Sequence, residues 1–186
     1  FIFRSRFILY HNSAMGGAVS SDFSHLNFTI EDSTFSNCST DRVGGAVYFN
    51  TVSACYARCC CMMYCSAVGC EHAFNSHLNS NSNMPNEMNE CGIAFCSPIL
   101  PSKYISVHIY DGVLGFSNNN LSNNHVGDSY EFWTELTSSI KSQVYNTFAN
   151  SESGWVINSG TQQSFKYANI ARNSPTNRNE LIYSGA

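Results

Sequence analysis

Nine cysteines, at 38, 55, 59, 60, 61, 65, 70, 91 and 96, are the residues of this chain best placed to do chemistry. Thiolates hold soft metal ions, and the run Cys55-x3-Cys59-Cys60-Cys61-x3-Cys65-x4-Cys70 invites a zinc site. The spacing lacks the Cys-x2-Cys pair of a zinc ribbon, however. On a strand, Cys59, Cys60 and Cys61 alternate between faces, so they cannot converge on one tetrahedral ion. No metal ligand set and no cofactor is assigned. Two other readings remain. Cys can serve as a small buried apolar residue, or it can form disulfides. Cys38 and Cys65 stand in matching contexts 65 − 38 = 27 residues apart. If they occupy neighbouring parallel strands, the spacing of about 4.8 Å lies inside the Cα range for a bridge, which makes them the first candidate pair. An odd count leaves at least one thiol unpaired within the chain.

Acid–base chemistry of the kind used on polysaccharides would require clustered carboxylates and a base. The candidates are Asp111, His108, Asp128, His125, Glu131 and Glu135, with no Lys or Arg between the first and last of them. Scattered carboxylates are also the ordinary occupants of solvated corners. No Gly-x-Ser-x-Gly elbow accompanies them, and the six histidines show no ligand-like spacing. No catalytic residue is therefore assigned. Tyr110, Tyr130 and Trp133 are candidate contacts for a glycan or a protein, or else cover a coil edge. Asn27-Phe28-Thr29, Asn37-Cys38-Ser39 and Asn120-Leu121-Ser122 are glycosylation sequons, compatible with a secreted location; Asn37 can equally be a ladder residue.

These residues sit on a repeat. Phe7 precedes Gly16-Gly17-Ala18-Val19 by nine positions, and Phe35 precedes Gly44-Gly45-Ala46-Val47 by the same nine. Both landmarks give one period, 35 − 7 = 28 and 44 − 16 = 28. A third unit aligns Met62 to Ser66 with Phe35 to Ser39, Val68-Gly69 with Val43-Gly44, and Ala73-Phe74 with Ala46-Val47. Later anchors are Leu121, Phe148 and Ile170, with Ile93 or Phe95 filling the gap. Alternation of period two at Leu26, Phe28, Ile30 and at Ile105, Val107, Ile109 marks strands. Repeats of this length, built from short apolar and Ser/Asn-rich pieces, predict a solenoid of stacked strands with roughly seven coils. Phe7, Phe35 and Met62 are expected to form an internal file, and corner Asn side chains to ladder between coils. Residues 75–90, rich in Asn and Ser, read as a loop insertion. Glu131 to Lys141 reads as a helical turn or a long corner.

Charged residues make up 12% of the chain, against a usual share near 25%. The surface is thus polar without being charged, which suits stacked strands, since like charges in register repel. A net charge of −4 gives no footprint for nucleic acid. The longest apolar run, Cys59 to Cys65, is far short of the roughly twenty residues that span a bilayer. The chain opens inside repeat-like sequence, so the expectation is one domain, residues 1–186, cut from a longer protein.

The pairing of Gly-Gly-Ala-Val with a Phe-x-Asn element resembles repeats of the chlamydial polymorphic outer membrane proteins. The Cys-bearing version at Phe35 to Phe49 and Ala57 to Phe74 looks more like the large β-helix surface proteins of trichomonad protists. The resemblance implies an all-β, right-handed single-stranded parallel β-helix of the pectate lyase-like kind. It also implies a non-catalytic surface or secreted role, structural or adhesin-like, toward a host glycan or protein. The alternative function is a carbohydrate-active β-helix enzyme. The two separate on whether Asp111, Asp128 and Glu131 converge in a cleft.

Overall fold

The structure, a computed structural model, describes residues 1–22, 26–69, 72–78, 83–96, 106–124, 132–135, 141–144, 146–149, 155–157, 163–167, 169–173 and 182–184. All of its regular elements are strands. The first level holds β1 (Ile2–Phe3), β2 (Arg6–Ile8), β3 (His11–Asn12) and β4 (Val19–Ser21); the second holds β5 (Asn27–Glu31), β6 (Thr34–Ser36), β7 (Ser39–Thr40) and β8 (Val47–Val52). The third holds β9 (Ala54–Arg58), β10 (Cys61–Met63), β11 (Ser66–Ala67) and β12 (Phe74–Leu78), and the fourth β13 (Pro85–Asn89), β14 (Gly92–Ala94) and β15 (Val107–Tyr110). Then follow β16 (Val113–Ser117), β17 (Asn120–Ser122), β18 (Phe132–Glu135), β19 (Lys141–Val144), β20 (Thr147–Ala149), β21 (Trp155–Ile157), β22 (Gln163–Lys166), β23 (Asn169–Ala171) and β24 (Ile182–Ser184).

Each strand pairs in parallel with its counterpart one level on, which makes a β-solenoid. Two sheets have seven strands, β1-β5-β9-β13-β16-β19-β22 and β2-β6-β10-β14-β17-β20-β23. A third, β3-β7-β11, has three; a fourth, β4-β8-β12-β15-β18, has five; and β21 pairs with β24. The expected seven coils are thus met on two faces only, and circuits closed by strands on all four are fewer. Residues 75–90 correct the loop expectation: Phe74–Leu78 and Pro85–Asn89 are strands of the fourth and first sheets. Among the described residues of that stretch, Ser76, Asn86 and Asn89 occupy hydrogen-bonded strand positions, while Phe74, Leu78 and Met88 are fully buried; residues 79–82 lie outside the described residues. Trp133 likewise lies in a strand rather than a helical turn.

The anticipated file exists. Phe7, Phe35, Met62, Ile93, Leu121, Phe148 and Ile170 are register partners in unbroken succession up the second sheet. Ile93, not the half-exposed Phe95, fills the gap. Phe7 and Phe35 stack with centroids 4.9 Å apart and planes within 3°. Leu26, expected inside, lies just before β5 and is exposed, whereas Ile30 within β5 is buried.

The corners flanking the second sheet follow a strict rule. Left-handed residues occur in pairs five positions apart: Arg4/Leu9, Asp32/Asn37, Cys59/Tyr64, Glu90/Phe95, Asn118/Asn123 and Tyr167/Arg172, with φ between 48° and 60°. The residue after each of these points inward in the well-buried levels, and it is Ser, Cys or Asn. At the first corner Cys60 and Cys91 donate their thiols to the Ile30 and Ala57 carbonyls, while Asn119 and Asn146 donate amides to the equivalent Met88 and Phe116 carbonyls. At the second, Cys38, Cys65 and Cys96 donate to Phe7, Phe35 and Met62, and Asn124 to Ile93. Each Asn oxygen also accepts a backbone N–H from the previous level, as Asn119 does from Cys91 at 2.9 Å and Asn146 from Asn119 at 3.0 Å. Cys and Asn are thus two solutions for one inward slot: a compact weak donor, or an amide that is both donor and acceptor.

The two glycines of the repeat divide their labour. Gly16 and Gly44 adopt φ of 69° and 72°, accessible without a Cβ. Gly17 and Gly45 permit close stacking, since a Cβ at Gly17 would strike the Gly45 carbonyl, and one at Gly45 the His72 carbonyl. Gly69, aligned in sequence with Gly44, instead bonds the Arg42 carbonyl at 2.7 Å, because the shortened corner shifts the match.

Candidate functional site

The outer face of the fourth sheet carries the most varied polar chemistry among the described residues. Val47, Phe74 and Val107 pair in register with their side chains buried, as do Phe49, Ser76 and Ile109. Alternation therefore turns Tyr48, Asn75 and His108 outward in one row. A second row holds His77 and Tyr110, which are register partners, with Asn50 beside them. Between Ser76↔Phe49 and Leu78↔Val52 the strand β8 carries one extra residue, a bulge of the kind that re-aims neighbouring side chains. These six residues line an open groove of about 230 Å³.

His77 is held from both sides. Its Nδ1 lies 2.8 Å from Asn50 Oδ1, and Asn50 Nδ2 donates to Asp22 Oδ1 at 2.7 Å. A carboxylate only accepts, so it fixes the Asn50 amide with its oxygen toward the ring, and Nδ1 must carry the proton that it donates. The other nitrogen, Nε2, lies 3.7 Å from Asp111 Oδ2, an ion pair when the ring is protonated. Asp111 is only 1% exposed and stands behind the imidazole, at φ 59° in the turn between β15 and β16. The Tyr110 ring meets His77 edge-on at 4.4 Å, and His108 at 5.9 Å.

The floor is braced from inside by Asn86, which is 1% exposed. Its Oδ1 accepts from Ser76 Oγ at 2.8 Å, and its Nδ2 donates to the Tyr110 and Asp111 carbonyls at 3.2 and 3.1 Å. One amide therefore ties β12 to the end of β15 and sets where Tyr110 and Asp111 stand.

Of the acid–base candidates, the structure brings His108 and Asp111 to one place. Glu135 lies beside Tyr110 in register, and Trp133 beside His108. His125, Asp128, Tyr130 and Glu131 fall outside the described residues. Tyr48, Asn50, Asn75 and His77 were not anticipated. The signal was available, since the match of Ala73-Phe74 to Ala46-Val47 already continued the strand through Asn75 and His77, but the density of Asn and Ser that follows read as loop.

Among the described residues the cysteines form no metal-binding cluster. Cys59 is exposed, Cys60 buried and Cys61 half-buried, so the three point in different directions. Cys38 and Cys65, the first candidate disulfide pair, occupy adjacent inward slots as free thiols, as do the other described cysteines. The Cys65 thiol beside it, and then burial, push the Cys38 thiol up; Cys60 and then burial do the same to Cys91. Burial pushes Cys55 up to about 12. The thiolate, the reactive form, is thereby suppressed at Cys38, Cys55 and Cys91, whereas the Cys91 thiol draws its neighbour Cys60 down.

No family model, no curated protein and no solved structure matches the chain.

Proposed function

We propose that this chain is a non-catalytic, adhesin-like segment of a secreted or cell-surface protein, a stiff spacer whose side wall makes contacts. The observation that carries this reading is the unbroken register of apolar residues from Phe7 to Ile170, buried as an internal file from Phe35 to Leu121. It makes each level depend on its neighbours and yields a rod of roughly 34 Å at about 4.8 Å per coil. A right-handed winding is the hand expected of parallel crossovers. Asn27, Asn37 and Asn120, the three sequon residues, are all exposed, which is compatible with glycosylation in a secretory compartment. Among the described residues no helix is long and apolar enough to cross a membrane.

The second reading, a carbohydrate-active enzyme, draws on the meeting of His77, His108, Tyr110 and Asp111. Two features weigh against it. Both ring nitrogens of His77 are turned to protein partners, so it has no nitrogen to offer a substrate, and the Asp111 carboxylate is shut behind it. The readings separate in one experiment. The full chain is immobilised and its retention of intact cells measured, and the same protein is incubated with plant and animal polysaccharides while reducing ends and unsaturated uronates are followed. Retention without turnover is expected. Turnover abolished by Asp111→Asn would replace the adhesion reading with the enzymatic one.

A further inference from the structure

We propose that the groove of Tyr48, Asn50, Asn75, His77, His108 and Tyr110 binds a single neutral pyranose unit of a glycan. This deepens the adhesion reading and rests on it. The argument is one of chemical fit. The lining holds no Lys, Arg, Asp or Glu; of the two carboxylates that touch it from outside, Asp111 is 1% exposed behind His77 and Asp22 is engaged by Asn50 Nδ2 at 2.7 Å. An anionic ligand would thus meet only imidazole, with the Asp111 carboxylate 3.7 Å from the His77 ring, and a cationic ligand would find no carboxylate in the lining itself. A peptide added as an extra strand needs an unpaired edge, but β8, β12 and β15 are each paired on both sides. An apolar helix laid in the groove would strip water from the Asn50 and Asn75 amides without replacing it.

A pyranose answers each feature. Its C–H face stacks on Tyr48 or Tyr110, while its ring of hydroxyls, each donor and acceptor, matches the Asn75 and Asn50 amides of the lining. The volume of about 230 Å³ lies below the ~300–1,000 Å³ of sites for drug-sized ligands, which matches one sugar ring rather than a folded oligomer. The site is also built before the ligand arrives. Asn86 fixes the floor, and the Asp22–Asn50–His77–Asp111 chain fixes the wall, so little side-chain entropy is left to lose on binding. The coil spacing of about 4.8 Å is close to the length of one pyranose ring, so a glycan running along the rod would keep adjoining residues against successive levels.

The test titrates the full chain, by ligand-observed NMR, with neutral methyl pyranosides and with their uronic-acid counterparts. At least one neutral pyranoside is expected to bind in the millimolar range, with Tyr110→Ala and Asn75→Ala each weakening it at least tenfold. Tyr110→Phe should retain most of the affinity, and Tyr64→Ala, an exposed aromatic on another face, should leave it unchanged. Tyr48→Ala is the second variant should Asn75→Ala lower the melting temperature. The proposal is overturned if no neutral pyranoside binds, if the groove variants bind as well as the parent, or if uronates bind tenfold more tightly than neutral sugars. Cell retention that persists in Tyr110→Ala sinks this site while leaving the adhesion reading standing; absence of retention in the parent chain sinks that reading.

Discussion

At the scale of single residues, the inward corner slot gives a direct test of why this chain is rich in both Cys and Asn. Asn119 accepts from the Cys91 backbone N–H and donates to the Met88 carbonyl, so Asn119→Leu leaves both buried groups unpaired and should cost about 2–4 kcal/mol in a denaturant melt. Cys91→Asn places in the slot the residue that the next two levels already use, and should change stability by less than about 1 kcal/mol. Equal losses in the two variants would refute the equivalence of the slot. His72 supplies a second test. It is fully buried, and its two ring nitrogens have no hydrogen-bond partner among the described residues; burial lowers its pKa from 6.5 to about 4. The unfolded chain therefore binds a proton between those values that the folded chain rejects. The stabilising contribution is complete above pH 6.5 and is lost as pH falls, by about 1.4 kcal/mol per unit and about 3 kcal/mol by pH 4. His72→Leu should flatten that part of the curve; an unchanged slope would assign the acid sensitivity to other groups.

At the scale of elements, Gly45 is where two levels come nearest. A methyl there meets the His72 carbonyl and lies 2.7–2.8 Å from the Ser66 backbone, so Gly45→Ala must push the third level away and should lower stability by more than about 2 kcal/mol. Gly44→Ala meets a positive φ as well as a crowded site, and should also destabilise. A thermal melt in which Gly45→Ala is neutral would show that the levels are not in contact at this corner. The same glycines explain what was legible beforehand. Gly-Gly-Ala-Val and the Phe nine residues earlier each mark a feature that a coil cannot do without, one a close approach and the other a buried file, so both recur and set the period. The groove was harder to read, because outward positions are free of packing constraint and do not recur. Tyr48, Asn75 and His108 are register partners with no chemical likeness. His77 and Asp111 meet because His77 pairs with Tyr110 and the left-handed turn at Asp111 follows at once, and no spacing rule in the sequence announces that meeting.

For the whole molecule, stability should be a sum of level-to-level terms, so damage should spread by neighbourhood and not all at once. The three thiols at Cys38, Cys65 and Cys96 sit in consecutive levels and can report it. Phe35→Ala opens a cavity in the second level, between Phe7 and Met62, at a cost of about 3–5 kcal/mol. Under native conditions, thiol labelling followed by mass spectrometry should show Cys38 and Cys65 accelerating far more than Cys96. Equal acceleration of all three would mean that the solenoid opens as one cooperative unit.

The paired left-handed residues have a consequence for how such a chain can change over time. Their interval is five in each of the six levels where both members are described, whereas the distance from the second of one pair to the first of the next runs 23, 22, 26 and 23 over the early levels. One side of the rod thus keeps metre, and the other absorbs every gain or loss of residues. Lineages carrying this architecture can lengthen, shorten or re-decorate the lax side, where the groove lies, while the strict side goes on winding unchanged.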